Sequence, residues 1–356
     1  MNTVAERLRP LTGHRLFWPA LVLVVMIAAN TAYRPGFLAV EVKNGHLYGT
    51  PVDILRLSAP LILVALGMTL VIATGGIDLS VGSVCAISGA IACLHISEAA
   101  DQNSASTVAT ALALAFGAAL VLGAWNGVLV AVIGIQPIIA TLILMVAGRG
   151  IAQLVTEGQI ITINSEPYRA IGLGHFLTLP LAVLIALAAA LLVAAFTRRT
   201  ALGLIVESVG GNAEASRLAG IRSRRIVLLV YVVSAACAAV AGFMVTANVS
   251  SADGNAAGLW IELDAILAVV IGGTSLAGGR FSLSGTVLGA LIIQTLTTTV
   301  YAMNISPQTS LLFKAVVVIA VCLVQAPAFR ARLRRRRRGV QTGPTAPQRE
   351  KEQVPA

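Results

Sequence analysis

Residues 57–83 of the chain, LSAPLILVALGMTLVIATGGIDLSVGS, place a long uncharged apolar run before a glycine-rich turn and a single carboxylate. A helix needs ~20 apolar residues to cross the hydrocarbon core of a bilayer, and this run is long enough. Further long uncharged stretches occupy residues 102–148, 226–252 and 281–313. The pattern predicts several membrane-spanning helices joined by glycine-rich turns.

The composition excludes an ordinary soluble protein. Hydrophobic residues make up 57% of the 356 residues and charged residues only 11%, and the mean hydropathy is +0.88. Soluble domains contain roughly 25% charged residues, so this chain has too few polar groups to cover a soluble surface of its size. The fold class predicted is an all-α, polytopic integral membrane protein.

About ten transmembrane helices are predicted. Two of the apolar stretches are too long for one helix, and helix-breaking residues divide them at 123–127 with Gln136-Pro137 and at 304–307. The predicted spans are residues 16–33, 57–74, 80–96, 107–125, 138–156, 178–196, 226–247, 264–279, 284–302 and 308–326.

The distribution of arginine predicts the orientation. Arginines cluster at residues 7–15, 198–225 and 330–338, whereas the loops 97–106 and 248–264 contain acidic residues and neither lysine nor arginine. Because positively charged loops stay in the cytoplasm, ten spans place both termini and the 197–225 loop there. The domains predicted are a cytoplasmic segment 1–15, a transmembrane domain 16–328 and a basic, disordered tail 329–356.

The net charge of +10 does not indicate nucleic-acid binding. Basic clusters beside apolar spans are typical of topology signals and of contacts with anionic membrane lipids. The chain has no phosphate-binding P-loop, no His-Glu-x-x-His pair and no Gly-x-Ser-x-Gly elbow. We therefore expect no enzyme active site, no cofactor and no metal in this chain.

The turn at residues 74–83 is the first candidate for a functional site, through Asp78. A carboxylate at membrane depth is costly and commonly functional, which makes Asp78 a candidate for a transport pathway. The alternative is that Asp78 caps a helix beginning near residue 79, as a single acid at a span boundary commonly does.

A second glycine-rich turn, residues 272–280, echoes the first. Paired helix breaks in two halves of a chain point to a transport pathway, although two glycine-rich turns can also be similar by chance. The candidate pathway residues are Asp78, Asn126, Gln136, Gly272, Gly273, Thr274 and Ser275.

Residues 207–221, which we call the capped segment, are predicted to form a short amphipathic helix. Asn212 is a natural N-cap, and Gly220 is placed to end the helix. Ala215 and Leu218 contribute to a small apolar face. Such a helix suits either the groove of a partner protein or the surface of the membrane.

Arg149 falls inside the predicted fifth span. A guanidinium buried there needs a partner or a wet cavity. The alternative is a shifted span, from whose end Arg149 extends to the interface.

Three motifs, residues 75–82, 211–221 and 272–279 in that order along the chain, together resemble those of permeases of ribose-type ABC sugar importers. The resemblance covers about residues 15–328, and the stretches 67–74, 140–150 and 258–273 are most similar to the galactofuranose branch of that family. It implies a permease subunit in the bacterial inner membrane with no ATPase of its own, which moves a monosaccharide.

The resemblance also implies partners. A cytoplasmic ATPase, which binds ATP and Mg²⁺, would dock on the capped segment, a second permease subunit, identical or different, would complete the pore, and a periplasmic sugar-binding protein would deliver the substrate. The residues implied for ATPase coupling are Glu207, Gly211, Asn212, Glu214, Ala215, Leu218 and Gly220. The alternative function is an ion-coupled secondary transporter, which the scarcity of charged residues inside the spans disfavours.

Overall fold

The structure, a computed structural model, describes residues 16–43 and 45–303, with isolated residues up to Ile319. The predicted terminal segment 1–15, the break at 304–307, the last span 308–326 and the tail 329–356 therefore lie outside the continuously described part.

Helices dominate the described residues, as predicted. They are α1 (Phe17–Tyr33), α2 (Thr50–Ala73), α3 (Val81–Glu98), α4 (Ala105–Val128), α5 (Pro137–Val155), α6 (Glu166–Leu173), α7 (Leu181–Arg199), α8 (Leu202–Gly211), α9 (Ala213–Leu218), α10 (Ser223–Val249), α11 (Ile261–Ile271) and α12 (Leu283–Ala302). A π-helical turn, Leu129–Ile133, continues α4.

The loops of the described part contain three short antiparallel pairs of strands. They are β1 (Glu41–Lys43) with β2 (His46–Tyr48), β3 (Ile161–Thr162) with β6 (Ser251–Ala252), and β4 (His175–Phe176) with β5 (Leu179–Pro180). The β3–β6 pair joins two loops that are distant in sequence.

Seven helices of the described part are long and apolar enough to cross a membrane: α2, α3, α4 with its π turn, α5, α7, α10 and α12. The shorter α1 occupies the first predicted span. The predicted span 264–279 is not one continuous helix. The chain there forms only the 11-residue helix α11, and a turn begins at Gly272. Hydropathy is averaged along the sequence, so an apolar glycine-rich turn is counted as part of a span.

The loops group at two ends of the bundle. The 97–106 loop contacts the segment before α6, since the backbone N–H of Asn164 donates to the Gln102 side chain at 2.8 Å, and the β3–β6 pair brings the 248–264 loop to the same end. We call this the acidic end. The loop 197–225 and the turns 74–80 and 272–282 lie at the opposite, arginine-rich end.

Helix α10 lies at the centre of the bundle, packed against α2, α3 and α4. Glycines make these contacts close: a Cβ atom at Gly67 of α2 would collide with the backbone of Ser234, and one at Gly123 of α4 with the Ala235 side chain. Because lipid supplies no hydrophobic drive between helices, such small residues allow the backbone approach that stabilises a bundle.

We predict that Gly67→Ala destabilises the bundle by about 1–3 kcal/mol, the usual cost of forcing an extra carbon into packed space. Thermal unfolding of the purified protein in detergent measures the effect. The matched control is Gly117→Ala in α4, where an added Cβ meets nothing within 4 Å and helix propensity favours alanine. Equal stability of the two variants would contradict the packing described.

Candidate functional site

Helix α2 ends at the first glycine motif in a Schellman stop. Gly75 adopts a left-handed φ of 82°, its N–H donates to the Ile72 carbonyl at 2.9 Å, and the Gly76 N–H donates to the Val71 carbonyl at 3.1 Å. These bonds satisfy carbonyls that the end of a helix leaves without partners.

Helix α11 ends in the same way at the second glycine motif. Gly273 has a φ of 86°, its N–H donates to the Val270 carbonyl at 2.9 Å, and the Thr274 N–H donates to the Val269 carbonyl at 3.2 Å. The two similar sequence motifs therefore end their helices in the same way. Each turn is followed by a long helix, α3 after the first and α12 after the second.

The two glycine turns meet in space at the arginine-rich end, together with the end of α8. The Gly279 N–H donates to the Ala73 carbonyl at 2.9 Å. An added Cβ at Gly210 would collide with the Ala73 carbonyl, and one at Gly278 would contact the Gly210 carbonyl and the Gly75 backbone. We call these five residues, Ala73, Gly75, Gly210, Gly278 and Gly279, the glycine junction.

Asp78 lies just beyond the junction and is fully enclosed, with 2% of its surface exposed. Its Oδ1 accepts the Ser80 N–H at 3.0 Å and the Ser80 hydroxyl at 2.6 Å, and its Oδ2 accepts the Ser234 hydroxyl at 2.9 Å. Helix α3 begins at Val81 with Ser80 in the N-cap position. Asp78 therefore orders the turn before the helix, but it does not cap a helix beginning near residue 79.

Asn126 joins the same buried network. Its Nδ2 donates to the Ser80 hydroxyl at 2.8 Å, so Asp78, Ser80, Asn126 and Ser234, which we call the polar cluster, tie the turn to both α4 and α10. Both oxygens of the Asp78 carboxyl group therefore have hydrogen-bond donors within the cluster.

The remaining pathway candidates lie elsewhere. Gln136 is exposed at the start of α5. Gly272 is buried against Gly285, so closely that a Cβ would clash with its backbone. The Thr274 hydroxyl accepts the Ser282 N–H at 3.2 Å, whereas Ser275 is exposed. The structure brings together Asp78 and Asn126 but leaves Gln136 outside their network, and a pathway role for all of them stays a prediction.

The capped segment is two helices, which corrects the prediction of one. Glu207 and Gly211 belong to α8, and the chain bends at Asn212 before the six-residue α9. Asn212 adopts extended backbone angles that end the first helix, and its side chain begins the second by accepting the Ala215 N–H at 2.9 Å.

Both predicted ends of α9 are confirmed. Gly220 has a φ of 87°, its N–H donates to the Arg217 carbonyl and the Ile221 N–H donates to the Ser216 carbonyl, each at 3.0 Å. The Arg217 guanidinium pairs with the Glu214 carboxylate at 2.6 Å and lowers the pKa of that carboxyl below its usual value. Leu218 is 76% exposed, so α9 presents an apolar side chain beside a fixed ion pair.

Arg149 is half-buried near the acidic end. Its Nη1 donates to the carbonyls of Ala257 at 2.6 Å and Gly254 at 3.4 Å, so its partner is the backbone of a loop. Glu262, 4% exposed, lies close to Gly82, where an added Cβ would collide with its carboxylate. Glu262 has no role predicted from the sequence, although an acid beside an apolar span is a recognisable signal.

Ser80, Ser234 and Gly210 were not predicted from the sequence. The two serines are common residues in apolar spans and have no distinguishing spacing. Gly210 precedes the predicted Gly211, and only the position of the Ala73 carbonyl shows that Gly210 is the glycine in close backbone contact.

A bundle of apolar spans with a buried polar cluster and an exposed capped segment indicates a membrane transport subunit. The chain belongs to the family described as branched-chain amino acid transport system / permease component, whose model matches residues 50–322. It is therefore a permease component of a membrane transport system.

Curated relatives match nearly the whole chain. The galactofuranose transporter permease protein YtfT of Escherichia coli (strain K12) is 49% identical over 322 residues, 88% of this chain and 92% of that protein. The fructose import permease protein FruF of Bifidobacterium longum (strain NCC 2705) is 40% identical, over 90% of each chain. The ribose import permease protein RbsC of Escherichia coli (strain K12) is 38% identical over 85% of this chain and 91% of that protein.

These matches confirm the predicted resemblance and the predicted fold class. No solved structure matches the chain.

We predict that Gly210→Ala abolishes most transport while the protein still inserts and folds. The added methyl group would force the capped segment away from the Ala73 carbonyl and open the glycine junction. ATP-dependent uptake by proteoliposomes of the assembled transporter measures the effect.

The control is Gly211→Ala at the neighbouring position, where an added Cβ meets nothing within 4 Å, and it should retain wild-type uptake. If both variants transport equally well, the junction has no role in coupling.

Proposed function

We propose that this chain is the membrane-spanning subunit of an ATP-binding-cassette importer that moves a monosaccharide, galactofuranose or a similar sugar, across a bacterial inner membrane. The observation that carries the proposal is the glycine junction. In this junction the backbone of the capped segment contacts the end of α2 and the turn before α12 directly. No side chain lies between them.

The capped segment suits a separate ATPase as its partner. Leu218 is 76% exposed beside the Glu214–Arg217 pair, so α9 offers a small apolar contact with a polar rim, as a helix that packs into a partner's groove does. The partner would bind ATP and Mg²⁺, and this chain would need no cofactor.

Movement of the ATPase would reach the pathway through backbone contacts. Displacing α8 pushes on the Ala73 carbonyl and on the 278–279 backbone, and therefore on α2 and on the turn before α12. The polar cluster links the turn after α2 to α4 and α10. A rigid connection of this kind lets nucleotide binding elsewhere shift the bundle between inward-open and outward-open states.

The names of the relatives favour a sugar as the substrate. They name galactofuranose, fructose and ribose, at 38–49% identity over at least 85% of this chain, whereas the family description names branched-chain amino acids. Relatives matched along nearly their whole length are the more specific guide, and the 49% identity favours a galactofuranose-like sugar.

The orientation proposed places the arginine-rich end and both termini in the cytoplasm, following the charge asymmetry of the loops. The acidic end would then receive the sugar from a periplasmic binding protein. Of the outer helices, α4, α5 and α7 are the least enclosed, with 17–28% of their most apolar windows buried. Their faces are available to lipid and to a second permease subunit.

The alternative function, an ion-coupled secondary transporter, draws on Asp78, since a buried carboxylate can bind a proton or a cation. The three hydrogen bonds that Asp78 accepts fix it to a turn and favour a structural role instead.

We predict that sugar accumulation by membrane vesicles requires ATP and the partner ATPase, and survives a protonophore. The measurement is uptake of radiolabelled galactose, ribose and fructose in vesicles with and without the ATPase subunit. Accumulation that persists without the ATPase but collapses with the protonophore would establish the ion-coupled alternative.

We predict that Leu218→Asp removes most of the ATPase from the purified complex, because it places a charge at the centre of the proposed contact. Co-purification of the ATPase with the tagged permease measures it. The matched control is Leu177→Asp, which changes a leucine of similar exposure, 80%, at the opposite end of the bundle. Undiminished recovery with Leu218→Asp would contradict docking on the capped segment.

A further inference from the structure

A cavity of about 320 Å³ lies between α2, α10, α11 and α12, toward the acidic end. Its volume is at the lower end of the ~300–1,000 Å³ typical of small-molecule sites. The cavity is separate from the polar cluster and from the glycine junction, and none of the predicted pathway residues lines it.

Four polar side chains from four helices face this cavity: Arg56, Asn248, Asp264 and Gln294. Two of them are already fixed, since the Arg56 Nη1 donates to the Asn248 Oδ1 at 2.7 Å and its Nη2 reaches the Asp53 carboxylate at 3.3 Å. Side chains held in this way offer preorganised hydrogen-bonding groups and lose little entropy when a ligand binds.

Gln294 is the innermost of these groups. It lies in the middle of the long apolar helix α12, and its amide makes no hydrogen bond to any other residue of the described chain. An amide has two donors and an acceptor, and those of the half-buried Gln294 are accessible from the cavity. Its position in the wall of a cavity indicates a polar ligand there.

The rest of the wall is apolar, including Leu61 and Met244. The charges of Arg56 and Asp264 oppose each other, so the lining has no net charge that would favour an ion. Hydroxyl groups both donate and accept, and can pair with a guanidinium, a carboxylate and two amides at once, while the C–H face of the ligand lies on the apolar wall.

We infer that this cavity is the resting site of a single uncharged monosaccharide during its passage, with Gln294 as a specificity-determining residue. The inference rests on the proposed function. In the proposed orientation the cavity lies in the outward half of the bundle, where a sugar released by a binding protein would first enter the permease.

The first test is the transport kinetics of Gln294→Leu in the assembled transporter, with radiolabelled galactose, ribose and fructose as probes. Loss of one hydrogen bond to the sugar raises the KM for the transported sugar about tenfold. Size-exclusion chromatography checks that the complex still assembles. The matched control is Gln153→Leu, which removes a half-buried glutamine near the same end but outside the cavity and keeps the wild-type KM.

The second test does not depend on turnover. Gln294→Cys introduces a thiol into the cavity, and a saturating concentration of the transported sugar slows its alkylation by a hydrophilic maleimide. The wild type, which contains Cys85, Cys93, Cys237 and Cys322, gives the background, and the first three of these thiols are buried.

An unchanged KM in Gln294→Leu, an equal rise in Gln153→Leu, or alkylation that the sugar does not slow would overturn the cavity assignment. These three results concern only the cavity, and they leave the ATP-dependent uptake by the wild-type complex unchanged. If the wild-type complex shows no ATP-dependent uptake of any of the three sugars, the proposed function itself is wrong, so the two failures are distinguishable.

Discussion

The hydrogen bond from the Gly279 N–H to the Ala73 carbonyl, 2.9 Å long, is the contact on which the arrangement of the arginine-rich end depends. The last carbonyl groups of a helix need hydrogen-bond donors, and the bilayer core contains no water to supply them. Here the donors come from a left-handed glycine within α2's own turn and from a second glycine turn far along the chain. The missing side chain of Gly210 makes room for this approach.

The polar cluster extends this constraint into the bundle. Asp78 is enclosed, and its desolvation is offset by hydrogen bonds from Ser80 and Ser234. Removing one partner would leave a buried polar group incompletely satisfied, which costs more than the hydrogen bond itself contributes. The turn after α2 is thereby fixed to α10, and through Asn126 to α4, so movement of the turn requires movement of those helices as well.

Helix α2 runs from the cavity at the acidic end to the glycine junction at the arginine-rich end. Arg56 faces the cavity near its beginning and Ala73 belongs to the glycine junction at its end, about 25 Å apart at the rise of an α-helix. Most of the helix between them is buried and packed against α10 and α12. A helix enclosed in this way would transmit a displacement of one end to the other, as the proposed coupling to a separate ATPase requires.

The sequence by itself determined the membrane class, the positions of most spans, the N-cap at Asn212 and the helix stop at Gly220, because these depend on local hydropathy and on the preferences of single residues. Only the tertiary structure decided that α11 is a short helix, that α8 precedes the cap, that Gly75, Gly210 and Gly278 meet, and that Asp78 bonds to Ser234. It also placed Arg56, Asn248, Asp264 and Gln294 around one cavity. Contacts between backbones made close by glycine, and hydrogen bonds between residues more than 100 positions apart, leave no periodicity in a sequence, since they depend on how whole helices pack.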